Sequence, residues 1–265
     1  MIKHTLTSQN YFSSENAMKY MGYSQFKSFL DCEARTLAEL QGVYKRPIAE
    51  ALLVGSYVDA FFEGTLDLFK DMHPDVFTKK GDLKAEYRHA EYMIQRVQRD
   101  KKFMQYMNGE KQKIFVGKIA NVPFKIKVDS FHESCIVDLK CIKDFGLIWN
   151  EEKQAKEDFI AHWGYLIQGA IYTEIVRQNV GKTLPFYIAG ITKEKPEPDL
   201  DIFHIDSETL NETMNEVISL APRFQKIKNG ELAPQRCEKC AYCRATKVIV
   251  SPKSYRELKE VYEIE

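Results

Sequence analysis

The sequence of 265 residues lacks a long apolar run, a signal peptide, an internal repeat and a low-complexity linker. The first two absences argue against a membrane span and against secretion, so we expect a cytoplasmic protein with no membrane partner. The other two favour one compact unit over residues 1–265. An excess of charge is also lacking, because 38 Lys and Arg balance 38 Asp and Glu. Overall charge therefore does not indicate a nucleic-acid partner, although a local basic patch would be enough to bind one.

The residues that are present indicate a soluble globular protein, with 44% hydrophobic and 29% charged residues. The periodicity predicts a helix over 24–40, with Ser24 as its N-cap and Gly42 just past its end. Further along the chain it predicts helices over 48–62, 159–180 and 207–228, and strands over 113–119, 122–131, 135–139, 185–191 and 202–205. Because strands and helices interleave, we expect an α/β fold with a mixed central sheet flanked by helices. It would comprise an N-terminal helical part (23–112), a core that contains the predicted strands (113–206) and a C-terminal helix with a cysteine-rich tail (207–265).

An unusual group of charges lies in the stretch KIKVDSFHESCIVDLKCIKD, residues 125–144. If its two strands pair about a turn near 133–134, Asp129 lies directly opposite Asp138. Side chains two apart share a face, so Lys140 joins Asp138, while Val128, Val137 and Leu139 point the other way. Two opposed carboxylates beside one lysine are costly unless a cation lies between them, which predicts a divalent metal.

Two predicted helices carry further polar groups. Asp59 and Glu63 are four residues apart and lie on one helix face. In the buried helix, Tyr165, Gln168 and Tyr172 follow at i, i+3 and i+7, where burial obliges their polar atoms to find partners. For these three a purely structural role is the ordinary alternative.

The tail RCEKCAYCRATK places Cys237, Cys240 and Cys243 with two residues between neighbours. Three thiolates at this spacing can bind one metal ion or cluster, and a tetrahedral site needs a fourth ligand. Candidates for the fourth ligand are Cys32, Cys135 and Cys141. In an intracellular chain, six cysteines favour metal binding or redox roles over disulfides.

Taken together, these motifs resemble the RecB-type branch of the PD-(D/E)XK nuclease superfamily, nearest to the phage exonucleases related to RecE. That family shows a Gly-x-x-x-His helix, a lone Asp, an acid-x-Lys and a Gln-x-x-x-Tyr helix in this order. The matching positions are Gly55 to Asp59, Asp129, Asp138 to Lys140, and Gln168 to Tyr172. Several members also carry an iron–sulfur staple made by one early and three late cysteines, and Cys32, Cys237, Cys240 and Cys243 resemble that set.

The resemblance implies a metal-dependent exonuclease that acts on the ends of linear duplex DNA. Asp129 and Asp138 would hold Mg²⁺ or Mn²⁺, with the Leu139 carbonyl and Asp59 or Glu63 completing the site. Lys140, Gln168 and Tyr172 would be catalytic. DNA contacts would come from a set of side chains around the hairpin and the buried helix: Lys113, Lys118, Lys125, Lys127, Lys143 and Tyr165. For the cysteines the resemblance implies a [4Fe–4S] cluster, with Zn²⁺ as the alternative. It also implies a single-strand annealing protein as partner in phage recombination, and a ring-shaped homo-oligomer would favour processive action.

One position departs from the family pattern, because Asp59 stands where the family has histidine. Aspartate is a harder ligand that suits Mg²⁺ or Mn²⁺, but it adds negative charge. Two alternatives therefore stay open at the level of sequence. The first is an endonuclease of the same superfamily, and the second is a DNA-binding or assembly module whose nuclease site has decayed.

Overall fold

A computed structural model describes residues 6–47, 50–252 and 254–256. Five strands form one sheet in the order β1-β2-β3-β6-β7, and β4 and β5 form a separate small ribbon. The strands are β1 (Glu110–Ile119), β2 (Val122–Phe131), β3 (Ile136–Ile142), β4 (Ile148–Asn150), β5 (Ala155–Glu157), β6 (Phe186–Thr192) and β7 (Leu200–Ile205). In the large sheet β3 and β6 run parallel and the other neighbours run antiparallel. The predicted mixed sheet is therefore confirmed.

Helices cover both faces of this sheet. They are α1 (Ser14–Lys19), α2 (Tyr23–Asp31), α3 (Glu33–Leu40), α4 (Glu50–Glu63), α5 (Leu66–Met72), α6 (Ala85–Arg99), α7 (Lys101–Met107), α8 (Phe159–His162), α9 (Tyr165–Val180), α10 (Ser207–Lys228) and α11 (Ala241–Ala245), with a 3₁₀ turn at Pro74–Val76. One core joins α2, α9 and α10 to the sheet face that carries Ile136, Ile142 and Phe186. A second core joins α4, α6 and α7 to the opposite face, which carries Val137 and Leu139. Because each face of β3 packs against a core, β3 carries apolar side chains on both faces, and Asp138 and Lys140 are its charged residues.

The predicted hairpin register is present where β2 and β3 pair, since Ser130 lies opposite Val137 and Phe131 opposite Ile136. Regular pairing stops there, one position before Asp129 and Asp138. The expectation that Val128 shares a face with Val137 and Leu139 is wrong, because Val128 packs in the first core. Strict alternation does not carry across the point where the two strands separate.

Two predicted helices are interrupted. The predicted helix over 24–40 is α2 and α3, which meet at Cys32 in an extended conformation (φ −168°, ψ 109°), and Gly22 rather than Ser24 is the first N-cap. The predicted helix over 159–180 is α8 and α9, separated at Gly164, whose φ is +73°. The periodic pattern of apolar residues predicts neither break. The break at Cys32 allows its sulfur to approach Cys243, and the break at Gly164 comes directly before Tyr165, the first residue of α9.

The other predicted elements agree with the structure to within a few residues, and α10 has the predicted bounds. Residues 48–49 of the second predicted helix lie outside the described residues, and that helix ends at Glu63. Among the helices that the structure describes, none has the combined length and apolar character needed to cross a bilayer.

Candidate active site

A cavity of about 470 Å³ opens where β2 and β3 separate, between the start of α2, α4 and α9. Its lining contains most of the charged residues singled out in the sequence. These are Asp59, Glu63, Lys125, Lys127, Asp129, Asp138 and Lys140, with Leu139, Gln168 and Tyr172. Residues from four elements that are far apart in the sequence thus share one concave surface.

Asp129 lies at the point of separation and bridges the two strands with its side chain. One carboxylate oxygen accepts the backbone N–H of Leu139 at 3.0 Å, and the other accepts Nε2 of Gln112 at 3.1 Å. The carboxylate thus replaces the backbone acceptor that a regular strand pair would supply. This fixes Asp129 beside the backbone of the Asp138-x-Lys140 motif.

Asp138 is the buried acid of the cavity, with 2% of its surface exposed. Its Oδ1 accepts Nε2 of Gln168 at 2.5 Å, and its Oδ2 lies against the Lys140 ammonium. Burial raises the pKa of Asp138 to about 7, and the Asp129 carboxylate adds to this, while Lys140 opposes it. Asp138 therefore holds its negative charge at neutral pH only with help from neighbouring cations.

Lys140 follows on the same face of β3. Burial alone would lower the pKa of its ammonium, but the carboxylates of Asp138 and Asp129 raise that pKa well above its ordinary value. The ammonium also lies 5.0 Å from the ring centre of Tyr165, within cation–π distance. Lys140 is therefore a positive charge held beside the carboxylates of Asp138 and Asp129.

Asp59 and Glu63 approach the same cavity from α4. Burial and the Asp129 charge raise the pKa of Asp59 well above its usual range. Burial also raises the pKa of Glu63, although Lys127, 3.9 Å away, opposes the shift. The two residues share one helix face, as their spacing predicts, and both face the acids of the sheet.

The donors of this cavity fit a hard divalent cation, because all four acids offer carboxylate oxygens. Burial raises the pKa values of Asp59, Glu63 and Asp138, and the neighbouring Asp129 carboxylate adds to each shift, so a bound cation would favour their charged forms. Of the described residues, only the four cysteines discussed below already have three or more ligand atoms close enough for one metal. Binding of a cation would therefore draw the carboxylates together.

The proposed DNA-contacting residues divide into two groups. Lys125 and Lys127 line the cavity and Tyr165 stands beside it, whereas Lys113, Lys118 and Lys143 are absent from its lining. Lys113 pairs with Glu110, and the side chain of Lys143 is 95% exposed. The buried ammonium of Lys125 donates to the carbonyl oxygen of Tyr11, so a phosphate contact would require that segment to move.

Sequence reasoning missed the N-terminal part of the cavity. Tyr11 and Phe12 line it, and the Lys127 ammonium lies 5.1 Å from the Phe12 ring centre. Phe12 is 76% exposed. The only sequence signal is an aromatic residue pair in an otherwise polar stretch, which by itself does not indicate a site.

A second cluster is formed by Cys32, Cys237, Cys240 and Cys243, whose sulfur atoms all lie within 4.8 Å of one another. The expectation that a cysteine site ties the N- and C-terminal parts together is confirmed. Cys135 and Cys141, the other candidates for the fourth ligand, lie outside this cluster and pack at the second core.

The fold and the cavity define a PD-(D/E)XK-type domain: a mixed sheet flanked by helices, with an Asp and an Asp-x-Lys where two strands part. The family model described as "PDDEXK-like domain of unknown function (DUF3799)" matches residues 22–246. The chain belongs to this family.

Among solved structures, the chain is similar to a protein from Eubacterium rectale that is described as a "putative exonuclease". The two share 45% sequence identity with a TM-score of 0.91, and the match covers 96% of this chain and 98% of the other. No curated protein matches the sequence.

Proposed function

We propose that the protein is a Mg²⁺- or Mn²⁺-dependent deoxyribonuclease that degrades linear duplex DNA from its ends. The observation that carries this proposal is the convergence of Asp129, Asp138, Lys140 and Gln168 in one cavity. Membership of a PDDEXK-like family and the description of the Eubacterium rectale relative support it. We further propose that the chain is one nuclease domain and that it forms a ring-shaped homo-oligomer. It would act in phage recombination together with a single-strand annealing protein.

Asp129 and Asp138 would hold the metal, with Asp59 or Glu63 and the Leu139 carbonyl as further ligands. When bound, the metal lowers the pKa of a coordinated water and neutralises the phosphodiester. Asp129 is already anchored by two hydrogen bonds, so its position does not depend on the metal. Gln168 holds Asp138 in the same way from the helix side.

Lys140 would orient the attacking water and stabilise the charge that develops on the phosphate. Its raised pKa keeps it protonated at neutral pH, so it acts as a cation and a donor. To accept the proton of the water, Lys140 would first have to release its own proton to solvent, which neutralisation of its carboxylate neighbours would favour. The protonation state of Lys140 therefore depends on the charges of Asp138 and Asp129.

Gln168 and Tyr172 would position the cleaved strand indirectly. The Tyr172 hydroxyl donates to the backbone carbonyl of Lys127 at 3.2 Å, and Gln168 donates to Asp138. Both therefore fix groups that face the DNA. Lys127 and Tyr165 are the proposed direct contacts beside the cavity, and Lys113, Lys118 and Lys143 are proposed contacts for duplex further away.

The test is digestion of matched linear and covalently closed circular duplex DNA, with Mg²⁺ and with Mn²⁺. We expect linear DNA to be degraded and closed circles to survive. Cleavage of the circle would replace the exonuclease with an endonuclease of the same superfamily. Binding of DNA without cleavage of either form would support the DNA-binding module, for which Asp59 in place of histidine is the supporting observation.

A further inference from the structure

The distances between the four cysteine sulfurs distinguish a single metal ion from a larger iron–sulfur cluster. The sulfur of Cys32 lies 3.6 Å from that of Cys243 and 3.9 Å from that of Cys240. The sulfur of Cys237 lies 3.9 Å from that of Cys243. The remaining pairs also lie within 4.8 Å of one another, so the four atoms form one compact group.

A single tetrahedral ion requires this spacing. Zinc–thiolate bonds of about 2.3 Å place the sulfurs of a tetrahedral site about 3.8 Å apart. In a [4Fe–4S] cluster each thiolate binds a different iron, and the irons and bridging sulfides lie between the thiolates. The sulfurs must then be further apart than sulfurs that share one ion. The cluster implied by the family resemblance does not fit the distances of this site.

The backbone around the cysteines is arranged to stabilise thiolates. The N–H of Arg35 lies 3.5 Å from the sulfur of Cys32, that of Cys240 lies 3.3 Å from the sulfur of Cys237, and that of Cys243 lies 3.4 Å from the sulfur of Cys240. Such donors offset the negative charge that four thiolates leave on a divalent ion. Two of these sulfurs also cap the helices that follow them, α3 and α11.

We propose that these four cysteines bind one zinc ion in a closed, structural site. All four positions are filled by protein sulfur, so no position is open for water or substrate. The element order makes the site a clamp between the first part of the chain and its tail.

The same ion braces the wall of the active-site cavity, an inference that rests on the proposed function. Tyr23, Ser24 and Gln25, at the start of α2, line the cavity, and α2 ends where Cys32 binds. Nine residues of helix, about 13 Å, separate the two. Nearby, Glu33 accepts two hydrogen bonds from Arg223 and one from the Gln235 N–H, which holds the same junction. Zinc and this ion pair together fix where α2 ends.

The first experiment measures metal in the full-length wild-type protein after anaerobic purification. We expect one zinc per chain by elemental analysis, with neither iron nor acid-labile sulfide in stoichiometric amount. Protein made with Co²⁺ in place of zinc should show the visible absorption of a tetrahedral cobalt thiolate. A brown protein with about four irons and four sulfides per chain, or a folded protein without bound metal, would overturn the proposal.

Cys32→Ser and Cys135→Ser form a matched pair, because Cys135 is a free, half-buried cysteine outside the cluster. Loss of a ligand should lower zinc content at least about tenfold, and DNA cleavage in excess Mg²⁺ should fall with it. Cys135→Ser should keep both. If Cys32→Ser fails to fold, the wild-type zinc and cobalt measurements still decide the outcome. Wild-type protein that carries zinc but leaves DNA intact would reject the nuclease and keep the zinc site.

Discussion

At the scale of single residues, Asp138 carries the main electrostatic conflict of the molecule. It is buried beside a second acid, and one amide donor and one ammonium balance it. A charge in such surroundings is sensitive to the loss of any one partner. Substitutions at those partners should therefore separate chemistry from binding.

Lys140→Ala should lower the rate of DNA cleavage at least about 100-fold while DNA binding stays within a few-fold. The substitution removes the cation that is proposed to stabilise the phosphate charge, and loss of that cation raises the pKa of Asp138 further. Cleavage of labelled linear duplex at saturating metal measures the first effect, and fluorescence anisotropy in Ca²⁺ measures the second. Lys182→Ala is the control, since Lys182 is exposed and lies outside the cavity. Near wild-type turnover in Lys140→Ala would exclude a catalytic lysine.

Tyr172→Phe should cost about 1 kcal/mol of unfolding free energy and change cleavage only a few-fold. The hydroxyl donates to the Lys127 carbonyl at 3.2 Å, so its loss leaves one acceptor unpaired. Urea denaturation and turnover measured on the same preparation test this. A loss of turnover of 100-fold with unchanged stability would instead assign the hydroxyl a direct contact with DNA.

At the scale of elements, α9 packs unusually close to the sheet and to α10. A Cβ added at Gly169 would lie 2.8 Å from Leu210 Cδ2 and 2.9 Å from Phe186 Cδ1. Since Gln168 precedes this glycine, the close approach also sets how near the amide comes to Asp138. The lack of a side chain at Gly169 thus helps to place the Gln168 amide beside Asp138.

Gly169→Ala should destabilise the protein by about 1–3 kcal/mol through overpacking, although alanine is the better helix former by about 1 kcal/mol. Gly55→Ala is the matched control within α4, because its Cβ would meet Cys141 Cβ at an ordinary 3.8 Å. We expect the control to be neutral or slightly stabilising. Thermal or urea unfolding of both variants gives the comparison, and equal stability of the two would refute the close packing of α9.

Lys228 gives α10 a pH-dependent contact with the N-terminal segment. The residue is 4% exposed, and its ammonium donates to the Tyr20 carbonyl and to Gln25 Oε1. Burial lowers its pKa to about 7, and Lys125 adds to the shift. Below pH 7 the amine is charged in both states, and the full cost of burying it is present. Above pH 7 the folded amine loses its proton while the unfolded one keeps it to about pH 10.4.

Wild-type stability should therefore rise relative to Lys228→Met by up to about 1.4 kcal/mol per pH unit between pH 7 and pH 9. Urea unfolding of both proteins across this range measures the difference. Parallel stability profiles would show that the ammonium is not desolvated. If Lys228→Met is unfolded at pH 7, the two hydrogen bonds of Lys228 contribute more to stability than burial of its ammonium costs.

The sequence predicts elements well where one periodicity runs through them, as in α10. It fails at Cys32 and Gly164, where the backbone breaks inside an otherwise continuous apolar pattern. At Cys32 the thiol must reach residues more than 200 positions away, which no local propensity encodes. Tyr11 and Gln112 were missed for the same reason, because tertiary contacts alone bring them to Lys125 and Asp129.

At the scale of the whole molecule, the formal charge is zero, whereas one cavity brings four carboxylates together with three lysines, which leaves it a formal charge of −1. Phosphate would be repelled from that cavity until a divalent cation reverses its local charge. DNA binding should therefore depend on metal even without cleavage.

Ca²⁺ should increase affinity for a labelled linear duplex at least about tenfold over EDTA at constant ionic strength. Asp129→Asn combined with Asp138→Asn should remove most of this dependence, since neutral amides no longer repel phosphate. Fluorescence anisotropy measures both. Equal affinity of the wild type in Ca²⁺ and EDTA would place the DNA away from the acids.

The separation of 211 residues between Cys32 and Cys243 has a consequence for synthesis. On the ribosome, Cys32 is made early, yet its three partners leave the exit tunnel after the whole sheet has been made. The clamp can therefore close only after all strands of the sheet have been made, and a product that stops before Cys237 would expose an unpaired thiol at Cys32. Formation of the cysteine site thus follows synthesis of the sheet.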